Sequence, residues 1–431
     1  MNRTRTVRSA GLAANLALLL GLACLPAVRP VPTPKAVQTV TILYAGDIDW
    51  TLLPQFAGLV KTDRPAGAII TGRVVTTAPL NYLFQGEAEC SALAASGIDA
   101  IRLTPEFLAL GLKTAHRLAD SVLPPAFLLS GNVWDSSRQA LFGPAYLRRN
   151  FTGSSGTIRL GFLGLSGDAS SPFWNQPGIA WQTPDSAVRL LAALRMTSDL
   201  VGVAADAKTA PGFLAGADFT LGSAGAPLPA TPSQVNRLEL DLDAQNRISG
   251  RRVTPVDLTR VSPDSAVLAI VRRYERRTDS LLGNRMNEAK VELDVKTLNA
   301  IALKTAPSRA HTEGAVFGNS LVLKPLGIGT ITLARLFDIT GTGNRLLRID
   351  IEGQEFDKFP PRDEPGVSWR SILQHQRIML RRQYSIVTTL DYVTGHPTLA
   401  PRRLSFLPLS LAEVYAYALR DRSKTKPDTL D

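Results

Sequence analysis

Two aspartates stand at positions i and i+2 where an apolar run ends: Asp47 and Asp49 in "TVTILYAGDIDW", residues 39–50. Carboxylates at the end of a strand are hard oxygen donors that suit a divalent cation. Gly and Asp also punctuate strands as ordinary turns, and these residues alone leave both readings open. The other side chains able to do chemistry are few. The chain has four histidines, His116, His311, His375 and His396, and two cysteines, Cys24 and Cys90. Removal of a leader containing Cys24 would leave Cys90 without an intramolecular partner, so no disulfide framework is implied. Within "ECSALAASGIDAIRL" Cys90 reads as a small buried apolar residue.

The chain that must position these groups has 431 residues, a length that implies two domains. Its apolar content of 45% is that of a globular protein. The formal net charge of +11 favours anions, but part of it lies in the first residues and the rest is dispersed among acids. No basic patch interleaved with aromatic residues is present, so nucleic acid is not an expected partner. Arg3, Arg5 and Arg8 precede the apolar stretch "GLAANLALLLGLACLPA", which is short for a membrane span and has the form of an export leader. "LGLAC" places Cys24 as the candidate acylated cysteine of a lipoprotein, with Gly21 where such a site usually carries Leu; cleavage near Ala27 is the alternative. The expected location is therefore outside the cytoplasm, periplasmic or anchored to the outer membrane through Cys24. "VRPVPTPKAV" follows as an extended tether.

Past the tether, strand and helix patterns alternate. "TVTILYAG", "GAIITG", "DAIRL", "AFLLSGNV", "IRLGFLGLSG", "SDLVGVAAD" and "ADFTLGSAG" read as strands. "GEAECSALAASG", "TPEFLALGLKTAHRLADS" and "PDSAVRLLAALRM" read as helices, the second as one continuous helix started at Thr104 and Pro105. "NRLELDLDAQNRISGRRVTPVDL" reads as a hairpin. Alternation of this kind predicts an α/β layered domain. "SPDSAVLAIVRRYERRTDSLL" then reads as a charged linker helix whose Arg272–Arg277 face is solvated. The remainder mixes helices with strands such as "LLRIDIEG" and "YSIVTTLDY".

The order of these segments resembles the secreted 5′-nucleotidases and UDP-sugar hydrolases, which join a calcineurin-like metallophosphoesterase domain to a 5′-nucleotidase C-terminal domain. "TILYAGDID" is similar to that family's "TILHTNDIH", "GAIITGRVVTTAPLNYLFQGE" to "LLLDAGD…GSPLSNLFKGE", "DAIRLTPEFLALG" to "DAMTLGNHEFDYG", and "LLSGNVWD" to "LSANV". "AVFGNSLVLKPLGIGTITLARLFDITGTGNRLLRIDIEGQEF" resembles the family's C-terminal signature in spacing almost throughout. The organisation implied is a signal peptide or lipoprotein leader over 1–27, a Pro-rich tether over 28–38 and a metallophosphoesterase-like domain over 39–258, its β-sandwich flanked by helices. A linker helix over 259–285, an α+β C-terminal-like domain over 286–420 and a disordered tail over 421–431 complete it.

The resemblance also implies phosphate ester hydrolysis in nucleotide catabolism at a two-metal centre of Asp, Asn and His. Residue by residue that centre is thinned. Asp47 matches the family's first aspartate, Asp49 stands at a histidine position, and Arg73 stands at the bridging aspartate. Pro105 and Glu106 take the places of the Asn and His of "GNHE", Asp206 that of a later His, and Ala224 and Ala226 those of the last two. In the second domain Lys324 replaces the substrate arginine and Thr342 a stacking Phe, while Asn319 and Asn344 are retained. A guanidinium repels cations and cannot ligate them, so no metal cofactor is expected beyond a single Ca²⁺ or Mg²⁺ on the remaining oxygens; instead Asp47, Asp49, Glu106 and Asp206 are expected to converge on Arg73 in Arg–carboxylate pairing. The expected protein is an exported, catalytically degenerate relative acting as a binding or structural protein for a small anionic or phosphorylated ligand. The alternative is an active phosphohydrolase with a carboxylate-rich site.

Overall fold

The computed structural model describes residues 38–75, 78–153, 156–167, 174, 176–182, 185–205, 216–222, 227–317, 322–340, 345–358, 379–395 and 404–421. The leader, nearly all of the tether, and the tail past residue 421 lie outside them.

The first half begins with β1 (Gln38–Ala45), the two-residue β2 (Ile48–Asp49), α1 (Leu53–Asp63), β3 (Gly67–Ile70) and β4 (Val74–Val75). Next come α2 (Ala78–Phe84), α3 (Glu87–Ala95), β5 (Ala100–Arg102), α4 (Pro105–Leu108), α5 (Leu112–Ser121), β6 (Leu128–Leu129), β7 (Val133–Asp135) and β8 (Ala140–Leu141). After β9 (Tyr146–Gly153), β10 (Gly156–Gly164), β11 (Ile179–Trp181), α6 (Asp185–Arg195), β12 (Leu200–Ala204) and β13 (Phe219–Leu221), the half closes on the hairpin β14 (Gln234–Leu242) and β15 (Ile248–Asp257).

One sheet runs β15-β14-β1-β3-β5-β6 and a second runs β13-β12-β10-β9. Val40, Ile42 and Tyr44 of β1 meet Ile158, Leu160 and Phe162 of β10 in one buried cluster, so the sheets face each other as a sandwich. Helices cover both outer faces: α1 and α3 contribute Phe56, Cys90 and Leu93 on one side, and α6 contributes Leu191 and Leu194 on the other. The strands buried on both faces are the parallel ones, as helix-covered sheets require. Gly67 permits the close approach of the sheets: a Cβ there would lie 2.7 Å from the Phe162 ring.

α7 (Ser265–Gly283) leads to the second half: β16 (Arg285–Ala289), α8 (Val295–Ala310), β17 (Gly314–Ala315), β18 (Gly329–Thr332), α9 (Leu333–Thr340), β19 (Arg345–Glu352), β20 (Gln383–Thr389), α10 (Leu390–Gly395), β21 (Leu404–Ser410) and α11 (Leu411–Asp421). Its main sheet is β17-β20-β19-β21, with α8, α9 and α11 packed on one face.

The segment read as a single helix from residue 104 is two helices, α4 and α5. Gly111 breaks it at φ +86°, where its bare Cα lets the carbonyl of Phe406 approach; a Cβ would sit 2.9 Å from that oxygen. "AFLLSGNV" likewise divides into β6 and β7. The linker helix carries an apolar stripe, Val267, Val271 and Tyr274, that is part of the first half's core.

Candidate functional site

β1, β3, β5 and β6 run parallel, so their C-terminal ends open on one edge of the sheet, the place where α/β sheets present ligand-binding residues. The residues that leave those ends are Gly46 and Asp47, Thr71 to Arg73, Leu103 and Thr104, and Ser130 to Asn132.

Asp47 is fully engaged there. Its Oδ1 accepts the backbone N–H of Arg73 at 3.0 Å, and its Oδ2 accepts the Arg73 Nε–H at 3.0 Å. The backbone N–H of Ile48 donates to the Arg73 carbonyl at 2.9 Å, and the β2–β4 ladder continues the same strap. Thr71 anchors its start, its hydroxyl and N–H both donating to the Ala45 carbonyl at 2.9 Å. The strap lies so close that a Cβ on Gly72 would come within 2.6 Å of the Gly46 and Asp47 backbone. Arg73 and Asp47 are both half exposed, so solvent screens the attraction.

The neighbouring carboxylates do not join this pair. Asp49 turns away to cap the following 3₁₀ turn, its Oδ1 accepting from the Thr51 N–H at 2.9 Å and hydroxyl at 2.7 Å. Glu106 is exposed on the first turn of α4 and makes no side-chain hydrogen bond or ion pair among the described residues. Asp206, Asn319, Asn344, Cys24, Ala224, Ala226 and Thr342 fall outside the described residues. Lys324 is on the surface of the second half, paired with Asp338 at 2.6 Å.

Sequence reasoning missed a second guanidinium. Arg102, the last residue of β5, is 5% exposed. Its Nε donates to the Thr71 carbonyl at 2.6 Å, and one Nη lies 3.4 Å from the Ser166 hydroxyl. Ser166 and Asn132 exchange two hydrogen bonds of 2.9 and 2.7 Å, and the Trp181 indole donates to the Ser166 carbonyl at 2.9 Å. An arginine between Ile101 and Leu103 in an otherwise apolar strand was the available signal.

His116 of α5 lies apart from this edge, against Asp135. Its Nε2 lies 2.7 Å from Asp135 Oδ2, and its ring stacks on Phe142 with centroids 5.0 Å apart. Burial alone would push the Asp135 carboxyl up. The Ser137 hydroxyl and N–H outweigh it, together with His116, and hold the carboxyl below its ordinary value. His311 ends α8 in a left-handed conformation, at φ +53°.

This donor set does not fit a two-metal centre. Asp47 is clasped by a guanidinium, Asp49 by Thr51, and Pro105 has no donor atom. No group of three or more His, Cys, Asp or Glu side chains among the described residues is placed to hold an ion. A unit charge about 4 Å from a divalent cation opposes it by roughly 2 kcal/mol in water and roughly 8 kcal/mol at an effective dielectric near 20.

No family model matches the chain, and no curated protein matches it. Solved structures do. A 5′-nucleotidase precursor from Thermus thermophilus is 15% identical, with 89% of this chain and 97% of that one covered and a TM-score of 0.53. The NAD nucleotidase of Haemophilus influenzae is 12% identical, with 89% and 96% covered and a TM-score of 0.54. Over nearly its whole length the chain therefore has the mixed α/β fold of 5′-nucleotidases with a calcineurin-like phosphoesterase domain.

Proposed function

We propose that this chain is an exported, catalytically degenerate protein of 5′-nucleotidase fold that acts by binding and not by two-metal phosphoester hydrolysis. The observation that carries the reading is the Asp47–Arg73 clasp, which places a cation where a metal-bridging carboxylate would be required. Arg73 gives its Nε to Asp47 and is half exposed, and its two Nη groups make no hydrogen bond among the described residues, which leaves them available to a ligand. Guanidinium forks match carboxylate and phosphate oxygens, which supports a small anionic or phosphorylated molecule as the ligand class. The fold supports a site at the strand ends and does not by itself supply an activity.

The test is elemental analysis of the purified protein together with phosphate release from nucleoside phosphates and UDP-sugars, with Zn²⁺, Mn²⁺, Co²⁺ and Ca²⁺ supplied in turn. The expected result is no tightly bound pair of transition metals and no turnover that depends on Asp47. Two such metals per chain, or turnover abolished by Asp47→Ala, would overturn the proposal.

A further inference from the structure

The helix α7 carries four arginines in six residues, Arg272, Arg273, Arg276 and Arg277, all exposed. Successive helical residues turn by about 100°, so the four share a sector of about 140° opposite the buried stripe of Val267, Val271, Tyr274 and Thr278. Only small residues lie between them on that face: Ser265, Ala266, Ala269 and Ser280. Glu275 and Asp279 sit at its flank, and neither forms an ion pair with these arginines. No carboxylate lies within 4.0 Å of any of the four among the described residues. Elsewhere on the surface, Arg138, Arg159, Arg195 and Arg252 are each paired with an acid. Glu87 of α3, which packs against α7, is taken by Arg117 and the Tyr274 hydroxyl.

Two of the guanidiniums are held in place without using their hydrogen-bond donors. Arg277 lies over the Phe84 ring at 4.8 Å and the Tyr274 ring at 5.5 Å, and Arg273 lies over Tyr274 at 5.0 Å. Stacking on a ring face restrains the plate without consuming its N–H donors, and both arginines remain exposed. Such a row of prearranged forks is suited to phosphate oxygens. The 19-residue helix is about 28 Å long and presents this face as a straight edge. Its outer face has no exposed aromatic side chain on which a nucleic-acid base would stack.

We propose that the outer face of α7 is a docking surface for the phosphate headgroups of an anionic phospholipid bilayer. The helix lies along the bilayer, its buried stripe holds the first half of the protein behind it, and each arginine reaches a headgroup.

The test is flotation of the full chain with phosphatidylcholine vesicles with and without phosphatidylglycerol, at about 0.1 M salt. Binding to the neutral vesicles reports any insertion of the N-terminal apolar segment, and the difference between the two vesicles is the readout. A variant with Arg272, Arg273, Arg276 and Arg277 all changed to Gln is compared with a control of equal charge change, Arg247, Arg251, Arg252 and Arg381 to Gln. At about 1 kcal/mol per arginine near an anionic surface, the α7 variant should lose at least about tenfold in partitioning and the control no more than about threefold. The four-lysine variant should fall between wild type and the glutamine variant. Matching melting temperatures establish that each variant is folded. Equal losses in the α7 variant and the control, or no loss in either, would overturn the proposal. So would tighter binding to duplex DNA that displaces the vesicles.

Discussion

Asp47 holds two donors of one residue, the backbone N–H and the guanidinium of Arg73, and this makes it a clasp for the strap after β3. Asp47→Ala should cost about 1–2 kcal/mol, because a strap amide loses a charged acceptor in a half-exposed site. A double-mutant cycle with Arg73→Ala, read by denaturant unfolding, should give a coupling of about 0.2–1 kcal/mol. A coupling indistinguishable from zero would mean that the side chains do not meet in solution. Asp135 has a folded carboxyl held below its ordinary value. Its contribution is therefore present above the unfolded value of about 3.9 and is lost as pH falls through the folded one. Asp135→Asn should flatten the stability profile below about pH 4. Thermal unfolding across that window checks it, and an unaltered acid limb would refute it. His116→Gln should shift the limb the same way by a smaller amount.

At the scale of elements, the two halves meet at α2, α4 and the start of β19. Arg345 enters the first half there: its Nη1 donates to the Ala109 carbonyl and its guanidinium lies 5.2 Å from the Tyr82 ring centre. Tyr82 also stacks on Phe337 of α9 with centroids 5.9 Å apart. Arg345 is 7% exposed, its Nε has no hydrogen-bond partner, and burial pulls its affinity for a proton down. A buried charge so thinly satisfied contributes position more than stability. Arg345→Met, which fills the space without the charge, should leave stability unchanged or raise it. Arg345→Ala, which leaves a cavity beside Tyr82, should lower it by about 2 kcal/mol or more. Chemical denaturation of both variants decides; a methionine variant as unstable as the alanine one would show that the charge itself holds the halves together.

For the whole molecule, the helix expected to link two domains is shared by both. Val267, Val271 and Tyr274 of α7 lie in the first core, while Leu282 near its end packs on the second. Tyr274→Ala should therefore cost about 3–5 kcal/mol and lower both halves in one calorimetric transition. Two separated transitions, with only the first displaced, would show the halves to be independent. Localisation is tested on the whole chain as well. If Cys24 is acylated, Cys24→Ala releases the protein from the membrane fraction, and an unchanged distribution favours simple cleavage near Ala27.

The layered α/β order of the first half and the mixed second half were legible in the sequence, because runs of apolar residues and the period of their spacing report burial and element type directly. The strand-end aspartates and the misplaced Arg73 were legible too, since a charged residue after an apolar strand stands out by type alone. The pairing of Arg73 with a carboxylate was expected; that Asp47 alone of the described carboxylates takes it, and that Arg102 stands behind the same edge, was not. Asp47 meets Arg73 from 26 residues away, Arg102 meets Thr71 from 31 and Ser166 from 64. Such pairings depend on strand order and parallel register, which local periodicity does not encode. The break at Gly111 and the burial of one face of α7 have the same origin. Each answers to a neighbour from another part of the chain, the Phe406 carbonyl in one case and the apolar faces of α1 and α3 in the other. Composition and period thus set the elements, and only the assembled sheet edge decided that its carboxylates would hold arginine and threonine.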